Sequence, residues 1–243
     1  VPLSVEKSTS PNKNPVYILP GTLCNDRMFA AQINALQNAG YTPCVIPFTE
    51  QSSILQMVEL CKKIAQEPGP FIGFSMGGIV ALALLKSNPE LVTSLCLMSS
   101  NYLADKPERP AIRLKQIEHA KSTSLEALLK RDFLPHYFYQ PSKAHEETVL
   151  SMANDLGINA FSAQLSALAT REDTLSVIKQ STKKLLIIGG EHDPLCPASV
   201  QQSMHEAAPN SDLVLLGHCA HFAPLERSNT VNTILLDWLE SLS

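Results

Sequence analysis

Short, uninterrupted apolar segments alternate along this chain with segments of helical periodicity, and this alternation constrains the fold more than any other feature. The apolar segments are Val16–Leu19, Thr42–Ile46, Phe71–Phe74, Ser94–Met98, Lys184–Ile188 and Leu213–Leu216. Strands that are apolar throughout are typical of parallel sheets covered on both faces. The helical patterns between them are Asp26–Asn38, Ser53–Glu67, Ser75–Ser87, Ala198–Ala208 and Asn229–Leu239. The sequence therefore predicts an α/β fold with a mostly parallel, doubly wound sheet of about six or seven strands.

The alternation stops between residues 101 and 182, where helical patterns occur without a strand pattern. The helices predicted there are Ala111–Lys121, Ser124–Phe133, Lys143–Leu156 and Ile158–Ala169. Because this region separates the fourth strand from the fifth, we predict a helical cap at 101–182, inserted into a core formed by 16–100 and 183–243. Residues 1–15 are polar and rich in proline, and we expect a flexible N-terminal tail.

The composition excludes several classes of function. A net charge of −4 gives no overall basic surface for nucleic acid, and no apolar run approaches the roughly 20 residues of a membrane span. Residues 1–15 lack the apolar segment of a secretory signal. The six cysteines are scattered and never form C-x-x-C, a pattern typical of reduced thiols in a cytoplasmic protein and not of a zinc site. We therefore expect no metal, cofactor, nucleic acid or membrane partner.

A serine stands among glycines where the third predicted strand meets the third predicted helix. Residues 73–77, Gly-Phe-Ser-Met-Gly, match the pattern G-x-S-x-G. On such a tight turn the hydroxyl is exposed at the start of the helix, where backbone N–H groups and the helix dipole stabilise an oxyanion. The pattern predicts that Ser75 is a nucleophile, the simpler alternative being a serine that only caps a buried helix.

A serine hydroxyl needs a base to become a good nucleophile, and two later strand ends supply candidates. Asp193 follows the apolar segment Lys184–Ile188, and His221 follows Leu213–Leu216. Singly, the aspartate could cap the turn before Pro194 and the histidine could be an ordinary loop residue. Because parallel strands end at one edge of the sheet, the order Ser, Asp, His predicts a catalytic triad. The alternatives that fit the spacing less well are Asp173, Glu191, His192 and His218.

Four motifs together resemble the α/β-hydrolase superfamily over nearly the whole of residues 16–239. They are LPGTLCNDRMF at 19–29, GFSMGG at 73–78, LLIIGGEHDPLCP at 185–197 and GHCAHFAPLERS at 217–228. The nearer resemblance is to small bacterial hydrolases with a helical cap, a group that includes pimeloyl-carrier-protein methyl ester esterases and the lyase SHCHC synthase. Two departures stand out: the usual His-Gly after the first strand is Pro20-Gly21 here, and the usual leading β-hairpin is missing.

The resemblance implies a role for each site residue. Ser75 attacks the carbonyl carbon, His221 takes and returns the proton, and Asp193 orients the histidine. The oxyanion hole is expected to use the backbone N–H groups of Met76 and Thr22, with Leu23 as the alternative to Thr22 if the loop is offset by one residue.

The cap is expected to shape the substrate site. We predict substrate contacts from Leu23, Phe133, Phe138 and Phe161, because aromatic pockets suit small or medium apolar acyl chains. Residues 101–145 carry a net charge of +3 against −7 for the rest of the chain. This basic half of the cap could attract an acidic partner such as acyl-carrier protein.

The sequence thus favours a serine carboxylesterase that works through an acyl-enzyme. A pimeloyl-carrier methyl ester esterase of biotin synthesis is one specific form that the resemblance suggests. An SHCHC synthase-like lyase or a carbon–carbon hydrolase on the same triad is an alternative. The lyase resemblance calls for arginines facing an anionic substrate, and the site motifs contain only Arg27 and Arg227. A non-catalytic ligand-binding protein of the same fold is the remaining alternative.

Overall fold

The computed structural model describes residues 15–242, so nearly all of the predicted N-terminal tail lies outside the described residues. Its six strands are β1 (Pro15–Leu19), β2 (Thr42–Val45), β3 (Gly69–Phe74), β4 (Val92–Met98), β5 (Lys184–Gly190) and β6 (Ser211–Leu216). They form one sheet in the order β2-β1-β3-β4-β5-β6, and every neighbouring pair is parallel. The predicted parallel α/β sheet is confirmed, with six strands in the described residues.

Helices connect these strands and cover both faces of the sheet. They are α1 (Ala30–Asn38), α2 (Ile54–Ile64), α3 (Met76–Ser87), α4 (Arg109–Ser122), α5 (Leu125–Leu128), α6 (Leu134–Tyr137), α7 (Lys143–Ala169), α8 (Leu175–Gln180), α9 (Ala198–Ala207), α10 (Ala223–Glu226) and α11 (Ser228–Glu240). A 3₁₀ turn at Asp26–Phe29 precedes α1, and a π-helical turn at Leu129–Phe133 joins α5 to α6.

Alternate residues of each strand enter separate hydrophobic cores on the two faces of the sheet. In β4, Leu95 and Leu97 belong to the core beneath α2 and α3, whereas Cys96 and Met98 belong to the core beneath α1 and α11. Both sets are fully buried, which explains why the strands read as continuous apolar runs. Because the strands pair in parallel, the carboxyl ends of β3, β5 and β6 lie along one edge of the sheet, where Ser75, Asp193 and His221 follow them.

The segment between β4 and β5 contains only helices in the structure, α4 to α8. The two helices predicted at 143–156 and 158–169 meet at Gly157, whose φ of 78° interrupts α7. Helix α8 was not predicted because six residues are too few to show a period. It packs against α3 and α9, which cover the sheet. Within residues 15–242, no helix combines the length and apolar character needed to cross a membrane.

Candidate active site

The backbone at Ser75 turns sharply between β3 and α3. Ser75 has φ 52° and ψ −115°, a conformation that costs an L-residue on the order of 1–3 kcal/mol. Two hydrogen bonds hold it: the Ser75 N–H donates to the Met98 carbonyl at 2.9 Å, and the Ser100 hydroxyl donates to the Ser75 carbonyl at 2.7 Å. The turn therefore presents the serine hydroxyl at the start of α3, as the G-x-S-x-G pattern predicts.

Gly77 allows this turn to lie against the sheet. A Cβ atom at Gly77 would stand 1.9 Å from the backbone carbonyl oxygen of Leu19, and a strand carbonyl cannot move aside. We expect Gly77→Ala to lower the free energy of unfolding by about 3 kcal/mol or more, or to prevent folding. Urea denaturation measures the change. The control is Gly217→Ala, whose added Cβ would find its nearest neighbour at 3.6 Å. Equal stability of the two variants would contradict the packing argument.

Ser75, His221 and Asp193 form one chain of hydrogen bonds. The Nε2 atom of His221 lies 3.0 Å from the Ser75 hydroxyl, and its Nδ1 atom lies 2.8 Å from Asp193 Oδ2. The other carboxylate oxygen of Asp193 accepts the backbone N–H groups of Leu195 and Cys196 at 2.8 and 3.0 Å. Both His221 and Asp193 are buried. The arrangement lets the imidazole accept the serine proton while the carboxylate fixes its orientation.

The residues considered as alternatives lie elsewhere. His218, Glu191 and His192 are exposed. Asp173 is also exposed, and its side chain accepts the Leu175 N–H at the start of α8. The geometry thus brings together the three residues predicted from the motifs and leaves their neighbours outside the hydrogen-bonded chain.

The loop after β1 lies directly beside the serine. A Cβ atom at Gly21 would stand 2.8 Å from the Phe74 ring and 3.3 Å from Ser75 Cβ, so glycine permits this approach. Thr22 follows on the cavity wall, and its hydroxyl lies 3.8 Å from the Met76 sulfur. The loop therefore places Thr22 beside Met76, the first residue of α3, where we expect the oxyanion hole.

A residue of α7 that sequence reasoning missed holds this loop in place. The backbone N–H of Leu23 donates to Gln164 Oε1 at 2.8 Å, and Gln164 Nε2 donates to the Phe48 carbonyl at 2.7 Å. Gln164 is fully buried on α7, and Leu23 has a strained φ of 55°. Because Gln164 already occupies the Leu23 N–H, the contacts favour Thr22 as the second oxyanion donor. A lone glutamine in a helical pattern gives no sign of this role.

A cavity of about 700 Å³ opens beside Ser75, between residues of the helical segment that follows β4 and the carboxyl edge of the sheet. Of the four predicted substrate contacts, Phe133 lines it. Phe161 and Leu23 are buried in one hydrophobic cluster with residues of α4, α5 and α7, and Phe138 packs on Phe222 and His145. Of these four residues, Phe133 alone is placed to contact a substrate in this cavity.

Several cations of the predicted basic half of the cap are paired with acidic side chains in the structure. Arg113 is buried and paired with Asp105, because α4 turns this side chain toward the cavity. Lys130 pairs with Glu126 and Arg131 with Asp132, so their charges are neutralised locally. Of the cations in this segment, Lys106 and Arg109 are exposed and also line the cavity.

One group of potential metal ligands occurs in the described residues: Asp193, Cys196 and His221, whose ligand atoms lie within 4.8 Å of one another. Both oxygens of Asp193 and both ring nitrogens of His221 already have hydrogen-bond partners. Burial also raises the pKa of Cys196 to about 12, which keeps the thiol protonated. These donors are therefore poorly suited to a metal ion.

Comparison with known proteins agrees with this architecture. A family model described as alpha/beta hydrolase fold matches residues 48–228. A pimeloyl-[acyl-carrier protein] methyl ester esterase of Neisseria meningitidis is 23% identical over 245 residues, 93% of this chain and 94% of that protein. A 2-hydroxy-6-oxononadienedioate/2-hydroxy-6-oxononatrienedioate hydrolase of a Pseudomonas species is 24% identical over 233 residues, 87% and 81% of the two chains.

The fold has close counterparts among solved structures. A thermophilic esterase from Thermogutta terrifontis superposes with a TM-score of 0.85, at 20% identity, over 95% of this chain and 91% of that one. The family match covers most of the chain, including the sheet edge at which Ser75, Asp193 and His221 converge. The chain is therefore a hydrolase and belongs to the α/β-hydrolase fold family.

Proposed function

We propose that this protein is a serine carboxylesterase that hydrolyses esters of small to medium acyl chains through an acyl-enzyme. The hydrogen-bonded chain from Ser75 through His221 to Asp193 is the observation that carries this proposal. Ser75 attacks the ester carbonyl as His221 Nε2 removes its proton. The protonated imidazole then returns that proton to the leaving alcohol, and Asp193 stabilises the positive charge on the ring.

The second half of the reaction uses the same groups. Water loses a proton to His221 and attacks the acyl-enzyme, which releases the acid and regenerates Ser75. In both steps the negative oxygen is stabilised by the backbone N–H groups of Met76 and Thr22. The cavity is of ordinary size for a small-molecule site, and Phe133 with neighbouring apolar side chains covers the acyl chain.

Turnover of 4-nitrophenyl acetate and 4-nitrophenyl butyrate tests the proposal. The expected result is hydrolysis of both esters by the wild-type protein and loss of that activity in Ser75→Ala. A folded wild-type protein that hydrolyses no ester would contradict the esterase proposal. That result would favour either the lyase or carbon–carbon hydrolase alternative or a ligand-binding role.

Gln164 is expected to act as a positioning residue for the oxyanion loop, the segment after β1 that contains Thr22 and Leu23. Gln164→Leu removes the acceptor of the Leu23 N–H, so the neighbouring Thr22 N–H loses its fixed direction. We expect kcat for 4-nitrophenyl butyrate to fall by about 10- to 100-fold with KM nearly unchanged, because only the transition state carries the oxyanion.

A second buried glutamine supplies the control for loss of stability alone. Gln32, on α1, donates to the Asn232 side chain at 2.9 Å and to the Pro224 carbonyl at 3.3 Å. Gln32→Leu should lower the melting temperature without lowering kcat comparably. Equal kcat losses in the Gln32→Leu and Gln164→Leu variants would reduce Gln164 to a purely structural residue.

A carrier-bound methyl ester is the more specific candidate substrate. The Neisseria relative is named for such an ester, and Lys106 and Arg109 stand exposed at the cavity, where an acidic carrier would approach. Charge reversal at both should slow turnover of a carrier-bound methyl ester relative to 4-nitrophenyl butyrate. The difference should shrink as salt shortens the Debye length from about 10 Å at 0.1 M to about 3 Å at 1 M. Equal effects on both substrates would contradict carrier docking.

A further inference from the structure

Two guanidinium groups share a single carboxylate in the wall of the active-site cavity. Arg113, on α4, forms two parallel hydrogen bonds with Asp105, one of them 2.6 Å long. Arg171, in the loop after α7, places its Nη2 atom 3.3 Å from the same carboxylate. The side chains of all three are largely shielded from solvent, with exposed fractions of 5%, 7% and 14% for Arg113, Asp105 and Arg171. Within residues 15–242 the cluster therefore carries one positive charge without a carboxylate partner of its own.

Arg171 is the member with unused hydrogen-bonding capacity. Its Nε atom is buried and has no hydrogen-bond partner within the described part of the chain. Burial lowers the pKa of Arg171, and the charge of Asp105 only partly opposes this effect. A buried, incompletely paired guanidinium is costly for the protein, so a ligand that supplies an anion would relieve that cost.

The side chains that line the whole cavity carry more positive than negative charge. Four cationic side chains line it: Lys106, Arg109, Arg113 and Arg171. The acidic side chain that lines it, Asp132, is already paired with Arg131. Neither Lys106 nor Arg109 has an ion-pair partner among residues 15–242. An anion that enters this cavity thus meets unbalanced cations in the same space as Ser75.

We propose that this cluster is a subsite for an oxyanionic group of the substrate, a carboxylate or a phosphate, with Arg171 as its principal contact. This inference rests on the esterase proposal and specifies it: the preferred ester carries an anion at a distance from the bond that is cleaved. Asp105 holds Arg113 in place, and Arg171 retains donors for the ligand. A guanidinium suits this role because its planar donors match carboxylate and phosphate oxygens.

A pair of esters that differ in one charge tests the subsite by turnover. Mono-4-nitrophenyl adipate and methyl 4-nitrophenyl adipate share an acyl chain, and only the first ends in a carboxylate. We expect kcat/KM to favour the anionic ester by about tenfold or more, the ratio that one charged hydrogen bond supports. Arg171→Met leaves a balanced Asp105–Arg113 pair and should abolish this preference. Lys179→Gln removes an exposed charge on α8 and should leave the preference intact.

Binding to Ser75→Ala tests the subsite without turnover. Adipate should raise the melting temperature of Ser75→Ala, dimethyl adipate should not, and the added change Arg171→Met should remove the effect. Stabilisation by inorganic phosphate at lower concentrations than adipate would identify a phosphate-bearing substrate instead of a carboxylate.

The outcomes separate the subsite from the esterase proposal. Adipate binding that depends on Arg171, without turnover of any ester, would support the subsite and overturn the esterase. Turnover that favours the neutral ester, or an anionic preference or adipate stabilisation that survives Arg171→Met, would overturn the subsite alone.

Discussion

Replacement of Ser75 or of His221 by alanine is expected to lower kcat for 4-nitrophenyl butyrate by about 10⁴- to 10⁶-fold, the loss seen when a triad member is removed. The reason is that the hydroxyl and the imidazole act as one unit across their 3.0 Å contact. The double variant Ser75→Ala/His221→Ala should therefore lose little more than either single variant. Steady-state kinetics on the four proteins measures this coupling.

Neighbouring residues provide matched controls for this result. Ser87→Ala changes an exposed hydroxyl at the other end of α3, and His218→Ala changes an exposed histidine three residues before His221. Both side chains lie outside the hydrogen-bonded chain, so both variants should retain most of the wild-type turnover. Loss of activity in His218→Ala, with His221→Ala unaffected, would show that the base is assigned wrongly. Strictly additive losses in the double variant would contradict joint action.

Replacement of Asp193 by asparagine is expected to lower kcat by about 10⁴-fold while the protein stays folded. The oxygen that accepts the Leu195 and Cys196 N–H groups is retained in asparagine, so the turn should persist. The other atom becomes an NH₂ donor facing His221 Nδ1. That donor favours the tautomer with its proton on Nε2, which cannot accept the proton of Ser75.

The control for Asp193→Asn is the same substitution at Asp173. Asp173 also accepts a backbone N–H in a turn, from Leu175 at 2.9 Å, but it lies outside the hydrogen-bonded chain. Asp173→Asn should retain wild-type kcat. Thermal unfolding of both variants separates loss of orientation from loss of structure. Wild-type kcat in Asp193→Asn would show that the carboxylate does not set the histidine tautomer.

The four central strands were predictable because they are buried on both faces and read as continuous apolar runs. The ends of the strands were predicted less well. β3 begins at Gly69-Pro70 and β5 ends at Gly189-Gly190. Glycine and proline are weak strand formers, so only the pairing with neighbouring strands shows that these residues belong to the sheet.

The three residues at the strand ends were predictable because their order along the chain and their positions after strands carry the information. The cavity wall was not. Asp105 lies in a loop, Arg113 on the polar helix α4 and Arg171 in the loop after α7. Only the folding of this region brings them together. Helix α4 is polar nearly all round, so its pattern does not show that Arg113 faces inward. Gln164 was missed because its partners, the Leu23 N–H and the Phe48 carbonyl, come from two loops that are distant from it in the sequence.

Cys24, in the loop after β1, offers a thiol near the site, and its surroundings argue against a role as nucleophile. Cys24 follows Leu23 in the sequence and is buried. This burial raises the pKa of its thiol far above the usual range. A thiol in this state is a poor nucleophile at neutral pH. Reaction at this loop would therefore require a change in structure that reaction at Ser75 does not.

Covalent labelling tests the assignment of Ser75 as nucleophile most directly. Phenylmethylsulfonyl fluoride should add once per chain, abolish ester turnover in proportion to labelling, and map by mass spectrometry to the peptide that contains residues 73–77. Ser75→Ala should remain unlabelled under the same conditions. Labelling of Cys24 with Ser75 unmodified, or loss of turnover with Ser75 free, would contradict the assignment of Ser75 as the nucleophile.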